Sequence, residues 1–273
     1  MTLRLKGSLV LVGAGIMGGA MLEGWLKSGL APSQIVALDP APPPEVKALI
    51  DGHAISHNPD PASITDAEVV LVAVKPQMMD DVLAGLTTLA RSKPLVLSIV
   101  AGKTIARLAH FFGADAAIIR TIPNTPAAIG RGITAMATNA HVSAAQEALA
   151  EQLLSSIGEV VRVPAEEQID WVTAVSGSGP AYVFWLTECL AAAGEKLGLA
   201  PKLAEQLARA TVAGSGELMR QSGIDAATLR KNVTSPNGTT YAALQHLMAE
   251  DGLKPLMERA ITAAAKRSKE LAG

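Results

Sequence analysis

A short apolar run that enters a glycine-rich turn constrains the fold of this chain more than any other feature. The run Leu9-Val10-Leu11-Val12 has the character of a buried strand, and Gly13-Ala14-Gly15-Ile16-Met17-Gly18 follows it directly. In this G-x-G-x-x-G spacing, Gly13 permits a tight turn, Gly15 lets a pyrophosphate approach the backbone, and Gly18 lets a helix pack on the strand. The pattern predicts a strand–turn–helix unit that binds a dinucleotide. A glycine-rich turn with a purely structural role is the alternative.

Strand and helix patterns alternate as far as about residue 163. Helical patterns around 77–90, 104–111 and 143–156 lie between short apolar runs that are rich in β-branched residues. Runs of this kind are typical of parallel strands that are covered on both faces. They predict further strands at Ile35–Leu38, Val69–Val74, Leu95–Val100, Ala117–Arg120, Ile133–Thr138 and Val160–Val163. The sequence therefore predicts the α/β fold class, with a doubly wound, Rossmann-like domain over residues 1–163.

From Pro164 onward the strand patterns stop and helical patterns take over. Predicted helices follow at about 165–175, 179–197, 201–221, 225–232, 239–249 and 253–271. The segment from Ala181 to Leu190 is apolar nearly all round, so it must be buried by its own domain or by a partner subunit. The sequence thus predicts an all-α domain over residues 164–273, and its apolar segment makes dimerisation an expected role of this domain.

A second candidate site lies at Val233–Thr240, where an amphipathic helix begins. This segment carries four hydroxyl groups and a glycine. Free backbone N–H groups and the helix dipole favour an anion at such a helix start, and hydroxyl groups add hydrogen bonds without a competing charge. A small carboxylate would fit there. The alternative is an ordinary helix start, with Ser235 as the N-cap and Pro236 at the first helical position.

Bulk composition argues against several classes of partner. A formal net charge of −2 and a pI near 6.2 leave no basic footprint for nucleic acid. No uninterrupted apolar run reaches membrane-spanning length, and the single cysteine, Cys189, fits a reducing cytoplasm. The five histidines show no metal-ligand spacing, so no metal site is predicted. A positive mean hydropathy of +0.30 predicts that part of the surface is covered in an oligomer.

With these segments placed, the sequence resembles pyrroline-5-carboxylate reductase over essentially its whole length. One departure is Asn237, where the family usually has glycine; because Asn tolerates left-handed backbone angles, we expect the loop shape to survive. The family reduces the cyclic imine 1-pyrroline-5-carboxylate to L-proline, by hydride transfer from NADPH or NADH to the imine carbon. The resemblance rests on the glycine-rich turn, Ala73-Val74-Lys75-Pro76, Pro123-Asn124-Thr125-Pro126, Ser176-Gly177-Ser178-Gly179-Pro180-Ala181-Tyr182 and the Ser235–Thr240 loop.

The resemblance implies roles for the residues of the Ser235–Thr240 loop. The backbone N–H groups of Gly238, Thr239 and Thr240 would hold the substrate carboxylate together with the Ser235 hydroxyl. The Thr240 hydroxyl would hydrogen-bond the imine nitrogen, which makes Thr240 the candidate catalytic residue. Chemistry of this kind requires neither a metal nor a covalent nucleophile.

The resemblance also implies a set of cofactor-binding residues. The turn from Gly13 to Gly18 would cradle the pyrophosphate at a helix N-terminus, and Ala73–Pro76 would lie at the carboxyl edge of the sheet. Asn124 would flank the nicotinamide, whereas Thr125 either does the same or only shapes its turn. Glu166 either begins a helix as an ordinary charge or approaches the nicotinamide amide. The remaining positions that line the cofactor in the family are Asn58, Ile99, Val100 and Ala101.

Cofactor choice depends on Asp39, which ends the second predicted strand and precedes the proline-rich loop Pro40–Pro44. Family members usually have small polar or basic residues there, which receive the 2′-phosphate of NADPH. A carboxylate can accept hydrogen bonds from the ribose hydroxyls of NADH and repels a phosphate. No Arg or Lys lies between Asp39 and Lys47. We therefore expect a smaller preference for NADPH than is usual in the family, unless Asp39 turns outward into the loop.

The family also predicts partners, and two other functions stay open. Family members interlock their C-terminal helices into homodimers, often five to a ring, so the resemblance implies a homo-oligomer.

A 3-hydroxyisobutyrate-type hydroxyacid dehydrogenase has the same two-part build. Its G-x-x-x-K-x-x-x-N pattern is met only by Gly198 and Lys202, because Gln206 stands where the pattern has Asn. A non-catalytic nucleotide-sensing protein would have no need of the Ser235–Thr240 cradle.

Overall fold

The computed structural model describes residues 3–272, which form two compact units. The first unit extends to Gly177 and also includes the C-terminal residues from Ala265 onward, and the second unit is Ser178–Ala264. All strands of the described chain lie in the first unit, and the second unit contains only helices. The α/β fold class is therefore confirmed, as is the change from a Rossmann-like sheet to an all-helical region.

One eight-stranded sheet forms the centre of the first unit. Its strands are β1 (Ser8–Val12), β2 (Ile35–Leu38), β3 (Ser56–His57), β4 (Ala67–Val72), β5 (Leu95–Ser98), β6 (Ile118–Ile122), β7 (Gly132–Thr138) and β8 (Gly158–Arg162). Their spatial order is β3-β2-β1-β4-β5-β6-β7-β8. Neighbours pair in parallel except β6 and β7, which pair antiparallel. In folds with this order a ligand lies at the carboxyl ends of β1 and β4, where the direction of strand addition reverses.

Strand β1 shows why the sheet is apolar on both faces. Leu9 and Leu11 belong to one apolar cluster, whereas Val10 and Val12 belong to a second, and all four side chains are fully buried. Alternate side chains of a strand point to opposite faces. The two clusters therefore lie on opposite sides of the sheet, which explains the continuous apolar run in the sequence.

Six helices of the first unit precede the second unit. Trp25 of α1 and Leu153 of α5 belong to the cluster that contains Leu9, whereas Met79 of α3 and Leu108 of α4 belong to the other. The two faces of the sheet are thus covered by different helices. The six helices are α1 (Ile16–Lys27), α2 (Pro44–Gly52), α3 (Met79–Ala84), α4 (Ile105–Phe112), α5 (Ala144–Ser155) and α6 (Gln168–Val172), and the π-helical turn Thr173–Gly177 follows α6.

The second unit lacks an apolar core of its own. Ala204 and Ala208 are its only buried residues, and α7 buries none of its side chains. Phe184 and Trp185 are 61% and 65% exposed. None of the helices within residues 3–272 is long and apolar enough to cross a membrane. The helices of this unit are α7 (Gly179–Lys196), α8 (Pro201–Ser222), α9 (Ala226–Asn232), α10 (Thr239–Leu247) and α11 (Leu253–Ala272), and the last turns of α11 belong to the first unit.

Most predicted elements are confirmed, and the differences have local reasons. The strands predicted at Val69–Val74 and Leu95–Val100 end at Val72 and Ser98, because the following residues enter loops at the carboxyl edge. The prediction that Pro44 belongs to a loop is wrong, since Pro44 is the first residue of α2, where its missing N–H costs no helical hydrogen bond. Strand β3 and the π-helical turn were not predicted, because both are too short to show a sequence period.

Candidate active site

The turn between β1 and α1 packs its backbone directly against the end of β4. Gly13 has a φ of +91°, and its N–H donates to the Leu38 carbonyl at 2.9 Å. A β-carbon built on Gly13 would lie 2.8 Å from the carbonyl carbon and oxygen of Ala73, and 2.9 Å from the Val74 nitrogen. Both the positive φ and the close approach of Ala73 and Val74, which directly follow β4, exclude a side chain at this position.

The other two glycines of the turn have opposite surroundings. A β-carbon on Gly18 would collide with the carbonyl oxygen of Gly13, whereas nothing lies within 4 Å of the corresponding position on Gly15. Gly15 is the N-cap of α1 and makes no side-chain cap, and Ile16 beside it is 80% exposed. Open space therefore lies in front of the first N–H groups of α1. Such a cradle fits the pyrophosphate of a dinucleotide.

The loops that follow β4 and β5 lie beside this turn. The Ala73 N–H donates to the Val12 carbonyl at 2.7 Å, and the Ile99 N–H donates to the Val72 carbonyl at 3.0 Å. Val100 is buried and its N–H donates to the Ser98 hydroxyl at 3.2 Å, whereas Ala101 is exposed. The structure therefore brings the glycine-rich turn and the predicted segments Ala73–Pro76 and Ile99–Ala101 to one edge of the sheet. Lys75 and Pro76 are exposed there.

A surface ion pair joins the regions that follow these two loops. Asp80 of α3 accepts a hydrogen bond from the Arg107 side chain of α4 at 3.1 Å, and the Lys103 ammonium lies 3.8 Å away. The Arg107 hydrogen bond, aided by the charges of Lys103 and Arg107, holds the pKa of Asp80 below its usual range. Asp80 in turn raises the pKa of Arg107. The pair stays ionised at neutral pH, so its links persist under physiological conditions.

The Asp39 carboxylate faces the glycine-rich turn. Its Oδ2 accepts a hydrogen bond from the Ala14 N–H at 2.7 Å, and its Oδ1 accepts one from the Ala41 N–H at 2.9 Å. The alternative of an outward-turned Asp39 is therefore not what the structure shows. Lys47 is the next basic residue along the chain, and it pairs with Asp51 on α2 at 2.5 Å. The carboxylate thus lies at the cradle with no basic side chain paired to it within residues 3–272.

The Asn58 side chain holds the backbone of Asp39. Its Oδ1 accepts from the Asp39 N–H at 2.8 Å, and its Nδ2 donates to the Asp39 carbonyl at 2.9 Å. Asn58 itself has a φ of +51°, a left-handed angle that asparagine adopts more readily than most residues. Both polar ends of the amide are engaged in this clamp. The structure therefore gives Asn58 a role in placing Asp39, whereas its predicted contact with a cofactor stays a prediction.

The Asn124 side chain also has two partners within the protein. Its Oδ1 accepts from the Ile133 N–H at 2.9 Å, and its Nδ2 donates to the Ser176 carbonyl at 3.2 Å. The second bond reaches the π-helical turn, a helix type that is frequent at functional sites. Thr125 beside it is exposed. Asn124 thus ties the loop after β6 to the Ser176-Gly177 motif.

A charge cluster that is buried except for the partly exposed Glu166 was missed from the sequence. Arg120 on β6 is 3% exposed, and its guanidinium pairs with Glu166 at 3.2 Å and with Asp170 at 3.1 Å. Glu166 also accepts a hydrogen bond from the Ile105 N–H at 2.8 Å. The signal was a lone arginine inside the apolar strand Ile118–Ile122, since a buried charge needs a partner. We define these side chains, with Ser268, which donates to Asp170, as the Arg120 cluster.

In the second unit, the Ser235–Thr240 loop forms the predicted helix start with one shift. The N-cap of α10 is Gly238 rather than Ser235, and the Gly238 N–H donates to the Ser235 carbonyl at 3.1 Å. The first hydrogen bond within α10 runs from the Ala242 N–H to the Gly238 carbonyl. The N–H groups of Thr239 and Thr240 precede that bond and are free of intrahelical partners. Gly238 itself offers no free N–H for an anion.

The side chains of this loop leave their hydroxyl groups available. The Ser235 hydroxyl lies directly over Gly238, so that a β-carbon there would collide with it. The Thr240 hydroxyl makes no hydrogen bond within the described part of the chain. Asn237 has a φ of +57°, which confirms that asparagine takes the left-handed angle expected at this departure from the family pattern. The loop can therefore bind a small anion through amides and hydroxyls alone.

Two family models match separate parts of the chain. One, described as pyrroline-5-carboxylate reductase dimerisation, matches residues 166–271. The other, described as NADP oxidoreductase, coenzyme F420-dependent, matches residues 8–102. The second match contains the glycine-rich turn and the loops after β4 and β5.

The chain is also similar to named proteins over nearly its whole length. A pyrroline-5-carboxylate reductase of Pseudomonas aeruginosa is 41% identical, over 97% of this chain and 96% of the relative. The solved structure of a pyrroline-5-carboxylate reductase from Coxiella burnetii matches with a TM-score of 0.91 at 32% identity, over 98% of this chain and 100% of the other. A Plasmodium falciparum pyrroline carboxylate reductase, solved with NADP bound, matches with a TM-score of 0.82 at 27% identity, over 98% and 99% of the two chains.

Alanine substitutions at Gly18 and Gly15 distinguish a glycine that is needed for packing from one that is needed for ligand binding. We expect Gly18→Ala to lower the free energy of unfolding by about 1–3 kcal/mol, because its methyl group meets the Gly13 carbonyl. Gly15→Ala meets no protein atom, so its melting temperature should match the parent, whereas dinucleotide affinity should fall on the order of tenfold because the methyl group occupies the cradle. Thermal melts measure the stability of each variant, and fluorescence titration with the dinucleotide measures its affinity. Parent-like affinity in Gly15→Ala would show that the cradle holds no phosphate.

Proposed function

The chain belongs to the pyrroline-5-carboxylate reductase family, and we propose that it reduces 1-pyrroline-5-carboxylate to L-proline. NADPH or NADH, when bound, supplies the hydride that adds to the imine carbon. The observation that carries the proposal is the start of α10, where free amides and uncharged hydroxyls could bind an anion in the same chain as a candidate dinucleotide cradle. Turnover of the reduced nicotinamide with the cyclic imine, compared with a panel of hydroxyacids, tests it directly.

The proposed substrate anchor uses the start of α10. The amides of Thr239 and Thr240 and the Ser235 hydroxyl would hold the carboxylate, aided by the positive end of the helix dipole. The structure modifies one expectation, since the Gly238 N–H is already bonded to Ser235. Gly238 contributes instead by leaving room beside the Ser235 hydroxyl.

The Thr240 hydroxyl would act at the imine nitrogen. It has no partner among residues 3–272, so it is available for a hydrogen bond to that nitrogen in the substrate and to the amine in the product. Carbon accepts hydride readily when the adjacent nitrogen carries a proton or a strong hydrogen bond. The role of Thr240 is therefore to orient and polarise the C=N bond.

The hydroxyacid dehydrogenase alternative receives no support. Its catalytic lysine would correspond to Lys202, but this residue lies in the first turn of α8, directly after Pro201 at the helix start. Gln206 stands where that family's pattern has Asn. The similarity to named reductases over nearly the full chain favours imine reduction over this activity and over nucleotide sensing.

The protein is a homo-oligomer, and we propose that its basic form is a dimer built from the second unit. This proposal is supported by the match to a dimerisation model and by the exposed apolar side chains of α7. A symmetric interface would use the same helices from both subunits. Assembly of five such dimers into a ring is a further proposal that rests on family resemblance alone.

A cytoplasmic location is also proposed. The chain has a single cysteine, Cys189, so it cannot form an internal disulfide. Chains without disulfides are typical of reducing compartments.

We further propose that Asp39 weakens the preference for NADPH. Its carboxylate lies at the glycine-rich turn and is held there by Ala14 and by the Asn58 clamp. A 2′-phosphate would bring a second negative charge to this place, whereas the ribose hydroxyls of NADH can donate to the carboxylate.

Thr240→Ala should lower turnover of the imine by about a hundredfold, because one oriented donor is lost. Dinucleotide affinity should stay unchanged, since no cofactor contact is assigned to Thr240. Thr239→Ala is the matched control, because it removes a neighbouring hydroxyl but keeps the backbone N–H. Steady-state kinetics and dinucleotide titration measure both variants. Wild-type turnover in Thr240→Ala would remove the role assigned to its hydroxyl.

Asp39→Ser should shift cofactor choice toward NADPH, because the repelling charge is lost. The ratio of kcat/KM for NADPH to that for NADH should rise by about tenfold or more. Asp51→Ser, which removes an exposed carboxylate on α2, serves as the control and should leave the ratio unchanged. A strong wild-type preference for NADPH that Asp39→Ser does not alter would contradict this assignment.

Light scattering of the purified protein should show dimers or larger assemblies and no monomer at micromolar concentration. The physical reason is the exposed apolar surface of α7, which includes Phe184 and Trp185. Phe184→Glu should favour dissociation, because a charge would be buried in the interface. A stable, active monomer of the parent chain would overturn the dimer proposal.

A further inference from the structure

The last turns of α11 carry a buried polar residue that packs into the first unit. Ser268 is 7% exposed on a helix that is otherwise rich in exposed charges. Its hydroxyl donates to Asp170 Oδ1 at 2.8 Å. Asp170 is itself buried on α6, so the C-terminal end of the chain is joined to the interior of the unit by a buried charge-assisted hydrogen bond.

From Asp170 the contacts continue through Arg120 to Glu166. Asp170 Oδ1 accepts hydrogen bonds from the Ser268 hydroxyl and from Nη2 of Arg120. Nη1 of Arg120 donates to Glu166. Removal of one member of a buried charge cluster leaves the others poorly compensated. The three ionised side chains and Ser268 are therefore expected to hold one another in place.

This cluster ends at the loop that precedes α4. Glu166 accepts a hydrogen bond from the N–H of Ile105, the first residue of α4. The same loop is also contacted directly by α11, because a β-carbon on Gly102 would lie 3.0 Å from the carbonyl oxygen of Leu271. Gly102 is buried and has a φ of +69°, so the loop turns at the point where the helix end covers it. The segment 99–105 is thus supported by α11 directly and through the Arg120 cluster.

We propose that the C-terminal turn of α11, through Ser268 and the Arg120 cluster, positions the loop 99–102 for dinucleotide binding. The inference rests on the proposed function, in which Ile99–Ala101 line the cofactor. Ser268, Asp170 and Arg120 are positioning residues, because they act on the loop and not on the reacting atoms. Loss of the Ser268 hydroxyl should loosen the loop and weaken dinucleotide binding, while kcat at saturating dinucleotide stays close to the wild-type value.

The first test is a comparison of three variants with the wild type in the full-length protein. Ser268→Ala should raise the Kd for the dinucleotide about three- to tenfold and leave kcat at saturation within about twofold. Ser268→Thr keeps the hydroxyl and should restore binding. Arg267→Ala breaks an exposed pair with Glu270 on the same turn, and its Kd should match the wild type. Isothermal titration gives Kd without reliance on activity. Equal Kd values for Ser268→Ala and the wild type overturn the inference.

The second test needs no variant. Because coupling between two sites is reciprocal, dinucleotide binding should slow hydrogen exchange of the amides at residues 266–271. Exchange that is unchanged there, in a protein that binds the dinucleotide, overturns the inference. A wild-type protein that binds no dinucleotide would contradict the proposed function instead, so the two failures are distinguishable.

Discussion

The close contact between the backbone of Gly13 and the residues that directly follow β4 is the constraint on which the rest of the first unit depends. Because no side chain separates them, the turn after β1 and the strand β4 share one edge, and α1 can start directly above it. The same geometry leaves the first amides of α1 facing open space at Gly15. The backbone arrangement of the glycine-rich turn therefore allows both the close packing of the turn and the binding of a ligand at α1. Gly18 serves the packing, Gly13 serves the close approach, and only Gly15 is left without a neighbour, which is the pattern expected where a ligand must enter.

The two units obtain their stability in different ways. The sheet of the first unit is buried on both faces, and β1 contributes alternate side chains to two separate clusters. The second unit buries only two alanines, while its longest apolar helix leaves all its side chains at least partly exposed. The match of this region to a dimerisation model fits this exposure, because association would bury apolar area that a single chain leaves in water.

The sequence predicted regular elements better than it predicted contacts between distant residues. Continuous apolar runs identified β1 and β2, because two-sided burial leaves a strong signal. The two residues of β3 and the π-helical turn carry no period, so no pattern could indicate them. The ion-pair and hydrogen-bond partners of single polar residues could not be predicted from the sequence either. Arg120 stood out in an apolar strand, but nothing local pointed to Asp170 or to Ser268, which lies 98 residues after Asp170. Family resemblance assigned Asn58 to the cofactor site. In the structure its amide clamps the backbone of Asp39, and its contact with the cofactor stays a prediction.

The absence of cationic side chains from the proposed substrate loop has a chemical consequence. Between Val233 and Thr240 the chain has no Arg or Lys, so the carboxylate would be held by amides, hydroxyls and the dipole of α10. A lysine or arginine there would bind the carboxylate more strongly. It would also place a positive charge close to the imine nitrogen, and a nearby like charge disfavours the protonated form of that nitrogen. Hydride addition is easiest to the protonated imine. A neutral anchor therefore gives up some binding strength and keeps the nitrogen able to carry the proton that makes hydride addition easiest.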